Sequence, residues 1–106
     1  MFVRKVTTVL KPNSISKFSL LMEQEVIPML CKQNGFQDVL TFFAPSEDVV
    51  TGISLWDQVL DAEAYSRGTY PAILQQLAAI IEGKPKVDTY EEVNSTFHKI
   101  AAAIAA

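Results

Sequence analysis

Trp56, Tyr65, Arg67 and Tyr70 fall within a span of fifteen residues, the densest group of chemistry-bearing side chains in the sequence. A tryptophan face can wall a pocket for a planar ligand. A tyrosine hydroxyl can donate to a substrate oxygen or act as a general acid. Arg67 could hold a carboxylate or phenolate in its guanidinium fork. His98, the only histidine, suits general-base work near neutral pH. These residues give a candidate site in which Tyr65, Tyr70 and His98 are catalytic and Trp56 and Arg67 bind substrate. Packing accounts are open to all of them: Trp56 as the anchor between a strand and a helix, the tyrosines as core rings, Arg67 and His98 as solvated surface. Asp88, Glu91 and Glu92 could pair as acid and base or simply wet a strand edge. Cys31 reads as a small core residue on a helix, with no histidine near it in sequence to activate the thiol.

The composition narrows the classes. At 106 residues the chain makes one domain, long enough for a core without disulfides or metal. A single cysteine excludes an internal disulfide, and with one histidine it cannot close a structural zinc site without carboxylate help. No metal site is expected. The net charge is −3 with Lys and Arg scattered singly, so no basic stripe is available for nucleic acid. No apolar run approaches the roughly 18 residues of a membrane span, and the first ten residues lack the apolar core of a signal peptide. The expected location is cytoplasmic. Apolar residues make up 49%, rich for so small a domain, which favours an extra buried surface such as a dimer interface.

The elements that must position the site follow from pattern. Residues 2–10 are rich in Val and Thr and stop at Pro12, which reads as a strand. Apolar residues at Ile15, Phe18, Met22, Val26, Met29 and Leu30 form one helical stripe over 15–32, capped by Asn13 or Ser14 and kinked at Pro28. Asn34-Gly35 stops it. Residues 36–44 and 49–56 read as strands joined by a four-residue polar loop, an antiparallel hairpin. Gly52 within the second of these predicts a bulge or a close backbone approach. Asp57 or Asp61 should cap a second helical region, broken by Gly68 and Pro71 into 59–67 and 71–82, with Gly83-Lys84-Pro85 ending it. A fourth strand is expected over 86–95, and the Ala-rich tail 96–106 is helix-prone but too short to stand alone.

The order strand, helix, strand, strand, helix, strand is the split βαβ of ferredoxin-like α+β folds, with a four-stranded antiparallel sheet and both helices on one face. Residues 1–95 would form this domain. The first three strands carry apolar side chains on both faces. The simplest cover for the second face is the same face of another copy, which gives a homodimer joined sheet to sheet.

ISLWDQVLDAEAY, followed by the tyrosine-bearing helix, and KPNSISKFSLLMEQEVIPMLCKQNGFQDVL before it, resemble the antibiotic-biosynthesis-monooxygenase type of dimeric α/β-barrel protein. In that family a strand ending in Trp leads into a helix with an acidic-small-aromatic beginning. The earlier helix has a proline near its end, and a Gly-Phe pair opens the second strand. The resemblance covers about residues 2–94. It implies a homodimeric barrel with a pocket in each subunit between sheet and helices. It also implies, for some members, oxygenation of aromatic polyketides or quinols without metal or flavin, so no cofactor is expected and a small aromatic ligand is. Haem-degrading members carry a Trp and a His where this chain has Tyr65 and about Gln75, so haem ligation is not implied. Trp56 and Tyr65 are the candidates that the resemblance also supports. A homodimer that binds a small ligand without turnover, or serves association alone, is the alternative from the residues themselves.

Overall fold

The computed structural model describes residues 1–94 and 96. His98 and nearly all of the expected tail lie outside the described residues. Four strands form one antiparallel sheet in the order β2-β3-β1-β4: β1 (Phe2–Leu10), β2 (Phe36–Ala44), β3 (Val49–Trp56) and β4 (Ile81–Glu91). The first three strands have the expected bounds, and the α+β order is that of a ferredoxin-like domain.

Pairing register and pleat together divide the sheet into two faces, because directly opposed residues share a side. Arg4, Val6, Thr8 and Leu10 of β1 share one face with Val50, Gly52, Ser54 and Trp56 of β3. That face carries the buried residues of both strands and receives the helices. The opposite face presents Val9, Leu40, Phe42 and Tyr90, each 40% or more exposed. It is an apolar sheet face without a cover in the isolated subunit.

The first helical region changes pitch along its length. It runs as α1 (Ile15–Leu21), a π-helical turn (Met22–Val26) and α2 (Ile27–Cys31). The amide of Ile27 donates to the Met22 carbonyl, five residues back. The expected disturbance at Pro28 therefore falls in the turn ahead of the ring, where the missing N–H and the ring's bulk disrupt regular α bonding. Two details differ from expectation. Ser14 occupies the cap position but its side chain makes no capping bond, and Asn13 takes φ 61°. Cys31 is exposed rather than in the core, since the stripe that faces the sheet passes through Val26 and Leu30. Gly35 then turns the chain at φ 75°, with the Asp61 carboxylate packed where a β-carbon would stand. A residue with a side chain fails there twice over.

The second helical region is α3 (Val59–Gly68) and α4 (Tyr70–Leu77), broken where Gly68 and Pro71 predicted. Neither aspartate caps it: Gln58 is the N-cap residue, without a side-chain bond, and Asp57 instead accepts from Gln37 Nε2 at 2.7 Å. α4 is shorter than expected and β4 begins earlier, at Ile81 rather than at residue 86. Pairing from Ile81 onward lets β4 match β1 over its whole length, from Leu10 to Phe2. Gly83, at φ 67°, and Pro85 fall in the irregularity between the Thr7 and Val9 pairings, not at a helix end. As an edge strand, β4 tolerates that proline. Gly52 is no bulge and meets no close backbone: β1 and β3 stay in register through it, and an added β-carbon would have nothing within 4 Å.

Candidate active site

Two buried clusters pack the helices onto the sheet. One gathers Val26, Leu30, Ala62, Tyr65 and Ile73 around Trp56; the other joins Leu10, Phe18, Val50 and Ile80. Between them lies a cavity of about 90 Å³, walled by residues of both clusters and floored by Arg4, Val6, Thr8 and Gly52. A larger groove of about 320 Å³ runs along α1, the π turn and β2, past Ile27, Phe42 and Phe43. Phe18, Met22, Thr41 and Val50 line both spaces, so the groove abuts the cavity across these four side chains. The missing side chain at Gly52 is part of what leaves the inner space open.

The polar content of the cavity comes from Arg4, Tyr65 and Tyr70, with Thr8 and Thr41 at the sheet. Arg4 is only 4% exposed and, among the described residues, is the only charged one lining the cavity. Its guanidinium carbon stands 4.0 Å from the Tyr70 ring centroid and 5.3 Å from that of Tyr65, a cation held between two aromatic faces. Arg4 Nε donates to Ser66 Oγ at 3.0 Å, tying the strand to α3. The Tyr70 hydroxyl is buried with no hydrogen-bond partner among the described residues. Burial pushes the Tyr65 hydroxyl up to about 12; the Arg4 charge pulls the other way and Tyr70 adds a smaller upward push. Tyr65 is therefore a neutral proton donor at neutral pH.

Of the sequence candidates, the fold brings Tyr65 and Tyr70 together, with ring centroids 6.0 Å apart. Trp56 is fully buried one layer behind them, 4.9 Å from the Tyr65 ring, and does not line the cavity. Its indole N–H donates to Ser54 Oγ at 2.9 Å, and Ser54 Oγ donates on to the Arg4 carbonyl at 3.3 Å. Trp56 therefore holds the backbone of Arg4 and the ring of Tyr65 rather than a ligand. Arg67 is exposed on the last turn of α3, off the cavity. Asp88 faces away, beside Lys86 at 3.9 Å. Arg4 is the cavity residue that site-level reading of the sequence passes over. Its signal was parity: it shares the helix-facing side of β1 with Val6, Thr8 and Leu10, a charge where the alternation calls for a core residue. Among the described residues, no group of three His, Cys, Asp or Glu is placed to hold a metal ion.

No family model matches the sequence, and no curated protein matches it. The architecture has many solved counterparts. A protein of unknown function from Nitrosomonas europaea, NE2512, superposes with a TM-score of 0.75 at 14% identity, over 90% of this chain and 91% of that one. The monooxygenase encoded by ActVA-Orf6 of Streptomyces coelicolor, solved in complex with nanaomycin D, gives 0.75 at 16% identity over 89% and 88%. A provisionally named antibiotic biosynthesis monooxygenase from Deinococcus radiodurans gives 0.72 at 12% identity over 90% and 95%. The fold is that of these monooxygenases. At such identities the likeness extends to the backbone and no further. Over nearly the whole length of each, their strands and helices and those of this chain follow one path. No helix among the described residues is long and apolar enough to cross a membrane.

Proposed function

We propose that the chain belongs with the antibiotic biosynthesis monooxygenases and oxygenates a small hydroxylated aromatic in the cavity between sheet and helices, without a redox cofactor. The observation that carries this reading is the cavity itself: an apolar, half-open space that abuts the outer groove, with Arg4, Tyr65 and Tyr70 converging on it. Sites of this make-up bind planar apolar ligands and orient them with few polar groups. The fold likeness to a monooxygenase solved in complex with nanaomycin D adds support.

The chemistry balances with dioxygen as the sole oxidant. For a phenol such as 1-naphthol, dioxygen adds at the ring carbon para to the hydroxyl. The O–O bond of the resulting hydroperoxide then breaks while that carbon loses its proton. One oxygen atom stays as a carbonyl, the other leaves as water, and the substrate supplies all four electrons. The protein's task is to orient the ring, exclude water and relay one proton. Tyr65, neutral and close to Arg4, would protonate the departing oxygen and recover a proton from the ring carbon. The open sheet face is the proposed homodimer interface, through Leu40, Phe42 and Tyr90. Phe42→Glu should yield monomers in sedimentation without loss of helical signal.

The test is oxygen uptake with 1-naphthol. One dioxygen consumed per naphthoquinone formed, without hydrogen peroxide, is the expected result. Uptake no faster than spontaneous oxidation, or peroxide equal to the oxygen used, would end the oxygenase reading. Binding without turnover is the second reading, favoured by one observation: among the described residues, the cavity lining holds no carboxylate or imidazole to serve as a conventional base.

A further inference from the structure

We infer that Arg4 and Tyr70 form an anion seat, so that the cavity takes a planar aromatic as its ionised phenol, enol or carboxylate rather than as a neutral ring. The inference rests on the cavity being the ligand site and goes beyond it to the charge state and contact atoms of the ligand.

Three observations carry it. Arg4 is buried, and among the described residues no carboxylate pairs with it. A guanidinium remains charged at ordinary pH, and a buried charge without a counter-charge is costly, so such groups are found paired. Second, Ser66 occupies only Nε, while the two terminal nitrogens, the fork that recognises planar anions, have no hydrogen-bond partner among the described residues. Third, the buried Tyr70 hydroxyl, on the ring against which that guanidinium stacks, is likewise without a partner. An unsatisfied buried polar atom is uncommon in folded proteins and calls for an explanation. The Tyr70 hydroxyl is the one such side-chain atom among the described residues, while the Arg4 terminal nitrogens are open to the cavity. One anionic oxygen supplied by a ligand would satisfy both. The protein does not supply its own: Tyr65, the other ring beside Arg4, keeps its proton through neutral pH because burial holds its ionisation near 12. Elsewhere on the path in, the outer groove contributes Glu23, which would oppose an anion at the rim and leaves the inner seat as the place where one is held.

The test uses three probes of one shape on the whole chain: 4-nitrophenol, 4-nitrobenzoate and nitrobenzene. Binding is followed by quenching of Trp56, the only tryptophan, and the yellow absorbance of nitrophenolate reports the charge of the bound phenol. At least one anion should bind roughly tenfold or more tighter than nitrobenzene, the difference a charge-assisted contact brings. A preference for nitrophenolate alone assigns the seat to phenols and enols, and one for nitrobenzoate alone to carboxylates. Arg4→Met should abolish the preference and leave nitrobenzene binding intact, which also shows that the cavity has survived. Arg4→Lys should keep part of it. Tyr70→Phe, which only removes the hydroxyl, should weaken the anions several-fold and nitrobenzene not at all. Equal binding of all three probes to the native chain would overturn the anion seat while leaving the cavity a ligand site. Binding of none would overturn both. Anion preference without turnover of 1-naphthol would keep the seat and remove the oxygenase reading, so the two fail separately.

Discussion

Gly52→Ala should make the protein more stable and a poorer host. Gly52 sits in the middle of β3 on the helix-facing side, directly opposite Val6, and lines the cavity. Glycine in a strand interior costs roughly 0.5–1 kcal/mol relative to alanine, because it loses more backbone freedom on folding. That cost is recoverable only if the new methyl overlaps nothing, and a β-carbon built at Gly52 meets no atom within 4 Å. The same emptiness means the methyl gains little from packing, so the expected increment is the backbone term alone, about 0.5–1 kcal/mol. For a domain of this size that is a rise in Tm of roughly 2–8 °C. The assay is a thermal scan run beside a nitrophenol titration. Gly52→Val, which reaches further into the space, should reduce affinity about tenfold or more. A lower Tm for the alanine variant would refute the geometric reasoning at this strand. Unchanged affinity in the valine variant would refute the placement of ligand in the inner cavity.

Three further outcomes can be measured. Trp56→Ala should cost about 3–5 kcal/mol, the range for a fully buried large aromatic, read as a drop in the urea midpoint; a loss under 1 kcal/mol would mean the ring is not the centre of its cluster. Tyrosine absorbance should show an ionisation near pH 12 that Tyr65→Phe removes. The folded state holds that proton above the ordinary value of 10, so the associated stability, roughly 2–3 kcal/mol, is present below pH 10 and lost as pH rises toward 12; a tyrosine titration complete by pH 11 would contradict it. Gly35→Ala should destabilise by more than about 1 kcal/mol, and Gly35→Ala with Asp61→Ala should recover only part, since removing the carboxylate relieves the overlap but not the positive φ; full recovery would place all of the cost in the overlap.

The fold was legible where local pattern and tertiary pairing agree. Val- and Thr-rich runs closed by Pro12 and Pro45, and the Asn34-Gly35 stop, placed three strands correctly. The fourth was misplaced because Gly83-Lys84-Pro85 carries the same local signal whether it ends a helix or loosens an edge strand, and only the length of β1 decides between them. The candidate site was half legible. Tyr65 and Tyr70 flank a helix break that can be read from Gly68 and Pro71, and breaks turn side chains inward. Arg4 was missed because Arg4 and Lys5 point to opposite faces of a strand that is apolar on both, and which of those faces takes the helices is fixed by partners nearly fifty or more residues away. For Trp56 the packing account set beside the binding one is the one the fold takes, and nothing in ISLW tells that Tyr65 will stand between the indole and the open space.

The π-helical turn at Met22–Val26 sets the phase of the cavity wall. Phe18, Met22, Val26 and Leu30 all line the space, at a strict spacing of four. On a regular α-helix each four-residue step overshoots a full turn by about 40°, so three steps would carry Leu30 about 120° away from Phe18. The wider turn takes back part of that drift, and one side of the helix stays aimed at the sheet for its whole length. The wall thus depends on a count of residues as much as on their kinds. Removing a single residue from this turn and restoring ordinary pitch would set Leu30 eleven residues beyond Phe18, within about 20° of the same direction, so the phase of the wall would survive. The turn takes up one residue more than regular pitch would need, so a one-codon deletion here keeps the wall in phase, whereas the same deletion in a regular stretch of the helix would swing every following side chain by about 100°.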